Sequence, residues 1–218
     1  MGFDLAGPTN INGKDPLFVD AANRNFRLKK GSPAIGAGKG GVTIGALEYP
    51  SVYYADPRHP AAQDEPAWGY AGVPLATLAK ACAIAQPGET VILRGGIYRE
   101  ALRPAGGGLT FRAMKGERVT ISGADLIEGW RREADGSWSA PLSAEPKKVI
   151  RDGQPWGEFT YDKAAKRIAV KTGGDPRLHV FETVVRAAGI DLAGRKDVKI
   201  EDIEVVDTLG GPATGPAK

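Results

Sequence analysis

The sequence predicts an all-β protein with one short helix, and three observations support this prediction. Short segments rich in aliphatic and β-branched residues recur from Thr90 onward, at intervals of very roughly ten to twenty residues, which is the spacing of an all-β coil or sandwich. The chain of 218 residues contains 30 glycines and 16 prolines, which suit turns between many short strands. Charged and aliphatic residues alternate along 198–206, which directs one set of side chains into a core and the other into water.

The helix is predicted over residues 74–86. Apolar residues at helical spacing mark it, namely Leu75, Leu78, Ala79 and Cys82. Pro74 suits a first-turn position, and Pro87 followed by Gly88 ends the helix. A short helix of this kind suits a cap over the open end of a stack of strands, which would otherwise expose unpaired backbone groups.

Most of the predicted strands lie on either side of a longer excursion. They are expected at 90–93, 101–103, 109–113, 119–122, 189–192, 198–200 and 203–206. Between about 128 and 180, alternating segments such as 159–162 and 167–170 suggest an antiparallel β subdomain inserted into the coil.

Composition argues against several classes of partner. The net charge is +3, and the chain has no long run of Lys or Arg that would indicate nucleic acid. No stretch of about 18 apolar residues predicts a membrane span. The first residues lack a basic segment followed by an apolar core, so no signal peptide is predicted in this chain. Cys82 is the only cysteine, which excludes an internal disulfide.

Residues 53–207 resemble the amino-terminal part of right-handed parallel β-helix carbohydrate-active proteins, a pectate-lyase-like superfamily. The motifs that carry the resemblance are 76–81, 87–91 and 96–100, then 111–113 with 116–124, then 189–192 with 198–203. The resemblance implies a short right-handed parallel β-helix of repeated coils, with an amino-proximal capping helix and the inserted β subdomain. These motifs are specific for the fold and weak for activity, because lyases, hydrolases, epimerases and non-catalytic coils share them.

Residues 15–49 resemble the carboxy-terminal coils of the same superfamily, so the order departs from that of one complete β-helix. The predicted division is therefore 1–50, a closing-type segment, and 51–218, the cap and opening coils. Two arrangements account for this order: a seam between tandem units, or a shortened or rearranged unit in which 15–49 packs as an extra coil. We favour the second, because Leu17, Phe18, Phe26 and Leu28 would otherwise form an exposed apolar patch.

The resemblance implies a polysaccharide-associated protein from a lyase or glycoside hydrolase lineage that lacks the usual catalytic coils. The alternatives are a non-catalytic glycan-binding or structural module, or a truncated remnant. Whether the chain is an enzyme stays open, and its catalytic residues are unknown. A polysaccharide partner, an extracellular or periplasmic location and self-association through open coil ends are further expectations, the last on physical grounds.

Two groups of residues are candidate binding sites. Tryptophan faces cover the apolar side of a pyranose ring, so Trp130, Trp138 and Trp156 are candidates for substrate binding, with Trp68 as a further ring. Trp130 and Trp138 flank a turn, so a hairpin could present both on one surface; core packing is the competing interpretation. For Ca²⁺, which needs several converging oxygens, the candidates are Glu201, Asp202, Glu204 and Asp207, and a solvated outer face is the competing interpretation. An extended strand would place Asp202 and Glu204 on one face.

Overall fold

The computed structural model describes residue 11 and residues 13–22, 25–29, 31–44, 52–65 and 69–210. The strands of these residues are, in chain order, β1 (Phe18–Asp20), β2 (Asn25–Leu28), β3 (Val52–Ala55), β4 (Thr90–Leu93), β5 (Gly96–Tyr98), β6 (Thr110–Ala113), β7 (Val119–Ser122), β8 (Ala124–Leu126), β9 (Arg131–Arg132), β10 (Trp138–Pro141), β11 (Val149–Arg151), β12 (Gln154–Trp156), β13 (Phe159–Asp162), β14 (Arg167–Val170), β15 (Phe181–Val184), β16 (Lys199–Glu201) and β17 (Ile203–Val206). The described α-helix, α1, spans Leu78–Ile84, and 3₁₀-helices span Lys39–Gly41 and Pro176–Leu178. The protein is therefore mostly β, as the sequence predicts.

Two parallel sheets carry the main core of the fold. Their strand orders are β16-β6-β4-β3 and β17-β7-β5. The chain passes from the first sheet to the second three times, from β4 to β5, from β6 to β7 and from β16 to β17. Register is kept between passages: Thr90 lies opposite Thr110, and Thr110 lies opposite Lys199. Successive passages therefore stack strand upon strand.

The main core lies against these parallel strands. Its largest fully buried side chains include Tyr53, Leu93, Tyr98, Phe111 and Ile121. The helix α1 adds Leu78, Ala81 and Cys82 to the same cluster, and Ile200, Ile203 and Val205 pack against it from the last passage. The predicted alternation along 198–206 is confirmed, because Lys199, Glu201 and Glu204 are exposed.

The predicted start of the helix at Pro74 is wrong. Leu75 forms a parallel bridge with Ala55, so the chain is still extended there. Thr77 is the residue that caps the helix, and its hydroxyl accepts a hydrogen bond from the Lys80 backbone amide at 3.0 Å. Pairing with a neighbouring strand has therefore overridden the local helical pattern, and α1 begins at Leu78.

Residues between β7 and β16 form two antiparallel sheets. Their strand orders are β13-β14-β10-β9 and β12-β11-β15-β8. A second buried cluster supports them, formed by Ile127, Ala140, Val149, Ile168, Val170 and Phe181. Half-buried aromatic side chains surround this cluster, among them Trp130, Trp138 and Trp156. This antiparallel region therefore has its own core, with large rings at its margin.

Residues 15–44 include an antiparallel pair, β1 with β2. The rings of Phe18 and Phe26 meet edge to face with centroids 5.4 Å apart, and Leu28 is buried. The Ser32 hydroxyl donates a hydrogen bond to the Pro16 carbonyl at 2.6 Å. Residues 1–10, 45–51 and Trp68 lie outside the described residues. The packing of 15–49 as an extra coil stays a prediction.

Strands β16 and β17 are the outermost strands of their sheets. Self-association through these edges stays a prediction, which sedimentation at several protein concentrations would test. In the described part of the chain, no helix has the length and apolar character needed to cross a membrane.

Candidate functional site

An open cavity of about 1010 Å³ lies at the margin of the antiparallel region. One wall comes from the hairpin of β9 and β10, and the other from residues 171–177. Its lining residues are Trp130, Arg131, Arg132, Asp135, Gly136, Ser137, Trp138, Lys171, Thr172, Gly173, Gly174, Asp175 and Arg177. Trp130 and Trp138 thus line one cavity, which is the arrangement that the hairpin hypothesis anticipates.

The hairpin loop is held by short-range hydrogen bonds. The Asp135 carboxylate accepts from the Ser137 amide at 3.0 Å and from the Ser137 hydroxyl at 2.6 Å. Gly136 has a φ of +84°, in the left-handed region that glycine adopts without steric cost. The Glu133 amide donates to the Ser137 carbonyl at 2.8 Å. The loop therefore closes on itself and leaves the flanking tryptophans at its base.

The opposite wall contains an arginine that lies over one of the rings. The guanidinium carbon of Arg177 lies 4.9 Å from the centroid of the Trp138 ring. Asp175 holds this guanidinium, with Nη2 to Oδ2 at 2.5 Å and Nε to Oδ1 at 2.9 Å. Trp138 also lies opposite Val170, the last residue of β14, so strand pairing brings residues 171–177 to the hairpin. One face of Trp138 is therefore partly covered by Arg177.

The other two candidate tryptophans pack against Phe181. The Trp130 and Phe181 centroids are 5.2 Å apart, and those of Trp156 and Phe181 are 6.1 Å apart, both edge to face. Trp156 is not among the residues that line the cavity. Its indole N–H donates to the Glu158 carbonyl at 3.2 Å, and the Arg151 guanidinium lies 4.7 Å from its ring centroid. Trp130 and Trp138 therefore share a site that Trp156 does not line.

Both acidic residues of the cavity are held in their charged form. Hydrogen bonds from the Ser137 hydroxyl and amide lower the pKa of Asp135, and the charge of Lys171 lowers it further. The hydrogen bond from Arg177 lowers the pKa of Asp175 and raises that of Arg177. The cavity can thus offer ring faces, hydrogen bonds and fixed charges, while both of its carboxylates favour the ionised form.

The chain turns within the group of four acidic residues predicted to bind Ca²⁺. Glu201 ends β16, and Asp202 has a φ of +56° before β17 begins. The expectation that Asp202 and Glu204 share one extended strand is therefore wrong, because the chain turns at Asp202. Glu204 binds Arg118 at 2.8 Å, and Asp207 lies 3.4 Å from Lys148 Nζ.

No group of three or more His, Cys, Asp or Glu side chains that could hold a metal ion occurs among the described residues. Calcium binding by Glu201, Asp202, Glu204 and Asp207 stays a prediction. It would require Glu204 and Asp207 to exchange their basic partners, Arg118 and Lys148, for the ion.

A nearly buried ion pair, which sequence reasoning missed, lies where the parallel and antiparallel parts meet. Arg99 Nη2 and Glu182 Oε1 are 2.8 Å apart, and the Glu182 side chain is only 12% exposed. Burial raises the pKa of Glu182; the charge of Arg99 opposes this, and that of Asp207 adds to it. Arg99 follows β5 and Glu182 lies in β15. The two residues are far apart in the sequence, so no local sequence pattern indicates that they pair.

Comparison with known proteins finds solved structures that share the fold. No protein-family model and no curated protein matches the chain. Two solved structures share its fold: XylC in complex with xylose, with a TM-score of 0.56 and 18% identity, and a glycoside hydrolase, with a TM-score of 0.56 and 12% identity. Each alignment covers 72% of this chain, but only 35% of XylC and 50% of the hydrolase. The chain thus spans half or less of each, and identities this low show a shared fold alone.

Proposed function

We propose that the protein is polysaccharide-associated and that it binds a glycan in the cavity between Trp130 and Trp138. The observation that carries this proposal is that two half-buried tryptophans line one open cavity. Indole rings offer large apolar faces at low entropic cost, and pyranose rings have a complementary apolar side. One structural neighbour is a complex with xylose, which supports a sugar as the occupant.

The proposed fold is three coils of a right-handed parallel β-helix with the antiparallel region inserted between the second and third coils. Three passages between two parallel sheets, in constant register, support this arrangement. The proposed division of the chain keeps residues 1–50 as a closing-type segment and 51–218 as cap, coils and insert. An origin in a lyase or hydrolase lineage and an extracellular or periplasmic location complete the proposal.

The acidic residues of the cavity favour binding over hydrolysis at this place. Glycoside hydrolysis requires one carboxyl group that still holds a proton at the working pH, besides a second carboxylate. The pKa values of Asp135 and Asp175 are both lowered, so neither suits the role of acid. The cavity is therefore proposed as a binding site that does not itself cleave the glycan.

A second candidate function is glycan cleavage at the junction of the two regions. Glu182 favours this candidate, because burial raises its pKa and the charge of Asp207 raises it further. Glycoside hydrolysis needs a carboxyl group that still holds its proton, and burial favours that form of Glu182. Release of reducing ends by the purified protein, lost in Glu182→Gln and kept in Trp130→Ala, would support cleavage at the junction rather than in the cavity.

Calorimetric titration with neutral xylo-oligosaccharides tests glycan binding in the cavity. Trp130→Ala is expected to weaken binding about tenfold, equivalent to ~1.4 kcal/mol, because a stacking face is removed. Trp156→Ala is the matched control: it removes the same side chain from the same aromatic cluster, outside the cavity. Circular dichroism would confirm that both variants are folded. Equal affinity in Trp130→Ala and the unmodified protein, or a larger loss in Trp156→Ala, would overturn the proposal.

A further inference from the structure

Four basic side chains line the cavity, and two of them are already paired. Arg131 Nε lies 2.7 Å from Glu133 Oε1, and Arg177 binds Asp175 through two guanidinium nitrogens. These pairs leave Arg131 and Arg177 with little unbalanced charge to offer a ligand.

Arg132 and Lys171 are different. Both are exposed, both line the cavity, and neither has an ion-pair partner among the described residues. Asp135 is the remaining acidic residue of the lining. Its carboxylate is engaged by the Ser137 amide and hydroxyl, and Lys171 lies near enough to lower its pKa. Two unpaired cations therefore face the cavity together with one partly satisfied carboxylate.

Strand pairing places Arg132 directly opposite Trp138, and Lys171 follows the residue that lies opposite Trp138 on the other neighbouring strand. Arg132 of β9 lies opposite Trp138 of β10, and Trp138 lies opposite Val170 of β14. Directly opposite residues of an antiparallel pair project from the same face, with Cβ atoms roughly 5 Å apart. Lys171 follows Val170 at the end of β14. Arg132, Lys171 and Trp138 all line the cavity, so a sugar held against Trp138 would share that cavity with a guanidinium and an ammonium group.

We propose that the glycan bound in this cavity carries a carboxylate, which Arg132 and Lys171 bind. This inference rests on the proposed function and names its ligand class. The planar guanidinium of Arg132 matches a carboxylate through two parallel hydrogen bonds, whereas Lys171 contributes a point charge. The tryptophans bind the apolar side of the sugar ring, and the cations select its charge. An acidic oligosaccharide is thus favoured over a neutral one of the same length.

The test compares two ligands that differ in charge: a xylo-oligosaccharide bearing one glucuronic acid, and the same oligosaccharide with that carboxyl group converted to its neutral methyl ester. Calorimetry should show about tenfold tighter binding of the acidic ligand at low salt, because two exposed ionic contacts each contribute a small factor. Raising the salt from about 0.01 M to about 1 M shortens the Debye length from about 30 Å to about 3 Å. The preference should then largely disappear, while the affinity for the neutral ligand changes little.

The double variant Arg132→Gln/Lys171→Gln should bind both ligands equally, so that the preference for the acidic ligand is lost. Its control is Lys115→Gln/Lys147→Gln, which removes the same charge from exposed lysines outside the cavity. If the control loses the preference equally, overall charge rather than the cavity is responsible and the inference fails. Equal binding of both ligands by the unmodified protein also overturns it, and leaves the proposed function standing. Failure to bind either ligand rejects the proposed function itself.

Discussion

The parallel and antiparallel regions differ in how far their tyrosine, phenylalanine and tryptophan rings are buried. In the parallel region Tyr53, Tyr98 and Phe111 are at most 1% exposed and fill the main core. In the antiparallel region Trp130 and Trp138 are half-buried and border an open cavity. Fully buried rings contribute stability, whereas rings that are partly exposed also offer a surface to a ligand. Under the proposed function, the parallel sheets serve as the scaffold and the antiparallel sheets bind the ligand.

The difference in burial predicts that Phe111→Ala has the largest effect on stability. Phe111 is fully buried between neighbouring strands, so its truncation should lower the free energy of unfolding by about 3–5 kcal/mol. Urea denaturation followed by circular dichroism measures this. Trp138→Ala, at a half-buried position, should cost clearly less. A larger loss in Trp138→Ala than in Phe111→Ala would reverse the assignment of scaffold and binding region.

The second-largest effect on stability is expected for Arg99→Met, at the junction of the two regions. Removing the guanidinium leaves the Glu182 carboxylate nearly buried without its partner, and the free energy of unfolding should fall by about 2–3 kcal/mol near neutral pH. The pKa of Glu182 is already raised by burial, and loss of Arg99 removes the charge that opposes this rise.

The sign of the pH dependence follows from that raised pKa. Above the ordinary pKa of a glutamate, the folded state holds a proton that the unfolded state releases, so stability falls as pH rises toward the folded pKa. In Arg99→Met the pH range over which stability falls extends to higher pH. The cost of the substitution should therefore shrink from about pH 8 to about pH 4, because protonated Glu182 needs no cationic partner. Urea midpoints at both pH values measure it, and a cost that grows on acidification would contradict a nearly buried pair.

The smallest predicted effect concerns the contact between Arg177 and Trp138 in the cavity. Arg177 lies over the face of Trp138, and an exposed cation–π contact contributes about 0.5–1 kcal/mol. Arg177→Ala should free that face and tighten binding of a neutral oligosaccharide about twofold to fivefold. Arg103→Ala, which removes an exposed arginine outside the cavity, is the control. Weaker binding after Arg177→Ala would show that this arginine contacts the sugar itself.

Local sequence patterns predicted much of the scaffold. The strands at 90–93, 119–122 and 203–206 occur where alternation and β-branched residues place them. The prediction at 189–192 is only partly right, because Ile190 forms an isolated bridge with Leu102. The start of the helix was misplaced because Leu75 pairs with Ala55, a contact set by the stack rather than by the segment itself.

The candidate site was only half predictable. Trp130 and Trp138 flank one short loop, so their shared surface follows from the hairpin. Lys171 and Arg177 reach the cavity because β14 pairs with β10, and no local pattern shows that register. The acidic residues near 201–207 show the opposite error. They are close in sequence, but the chain turns at Asp202, so they do not lie along one strand.

The most direct test of glycan binding in the cavity is nuclear magnetic resonance of the four tryptophan indole N–H groups during titration with a xylo-oligosaccharide. The signals of Trp130 and Trp138 should shift with one common binding curve. The Trp156 signal should stay in place, because its N–H is bound to the Glu158 carbonyl outside the cavity. Saturable binding that shifts Trp156 and leaves Trp130 and Trp138 unmoved would contradict the assignment of the cavity as the binding site.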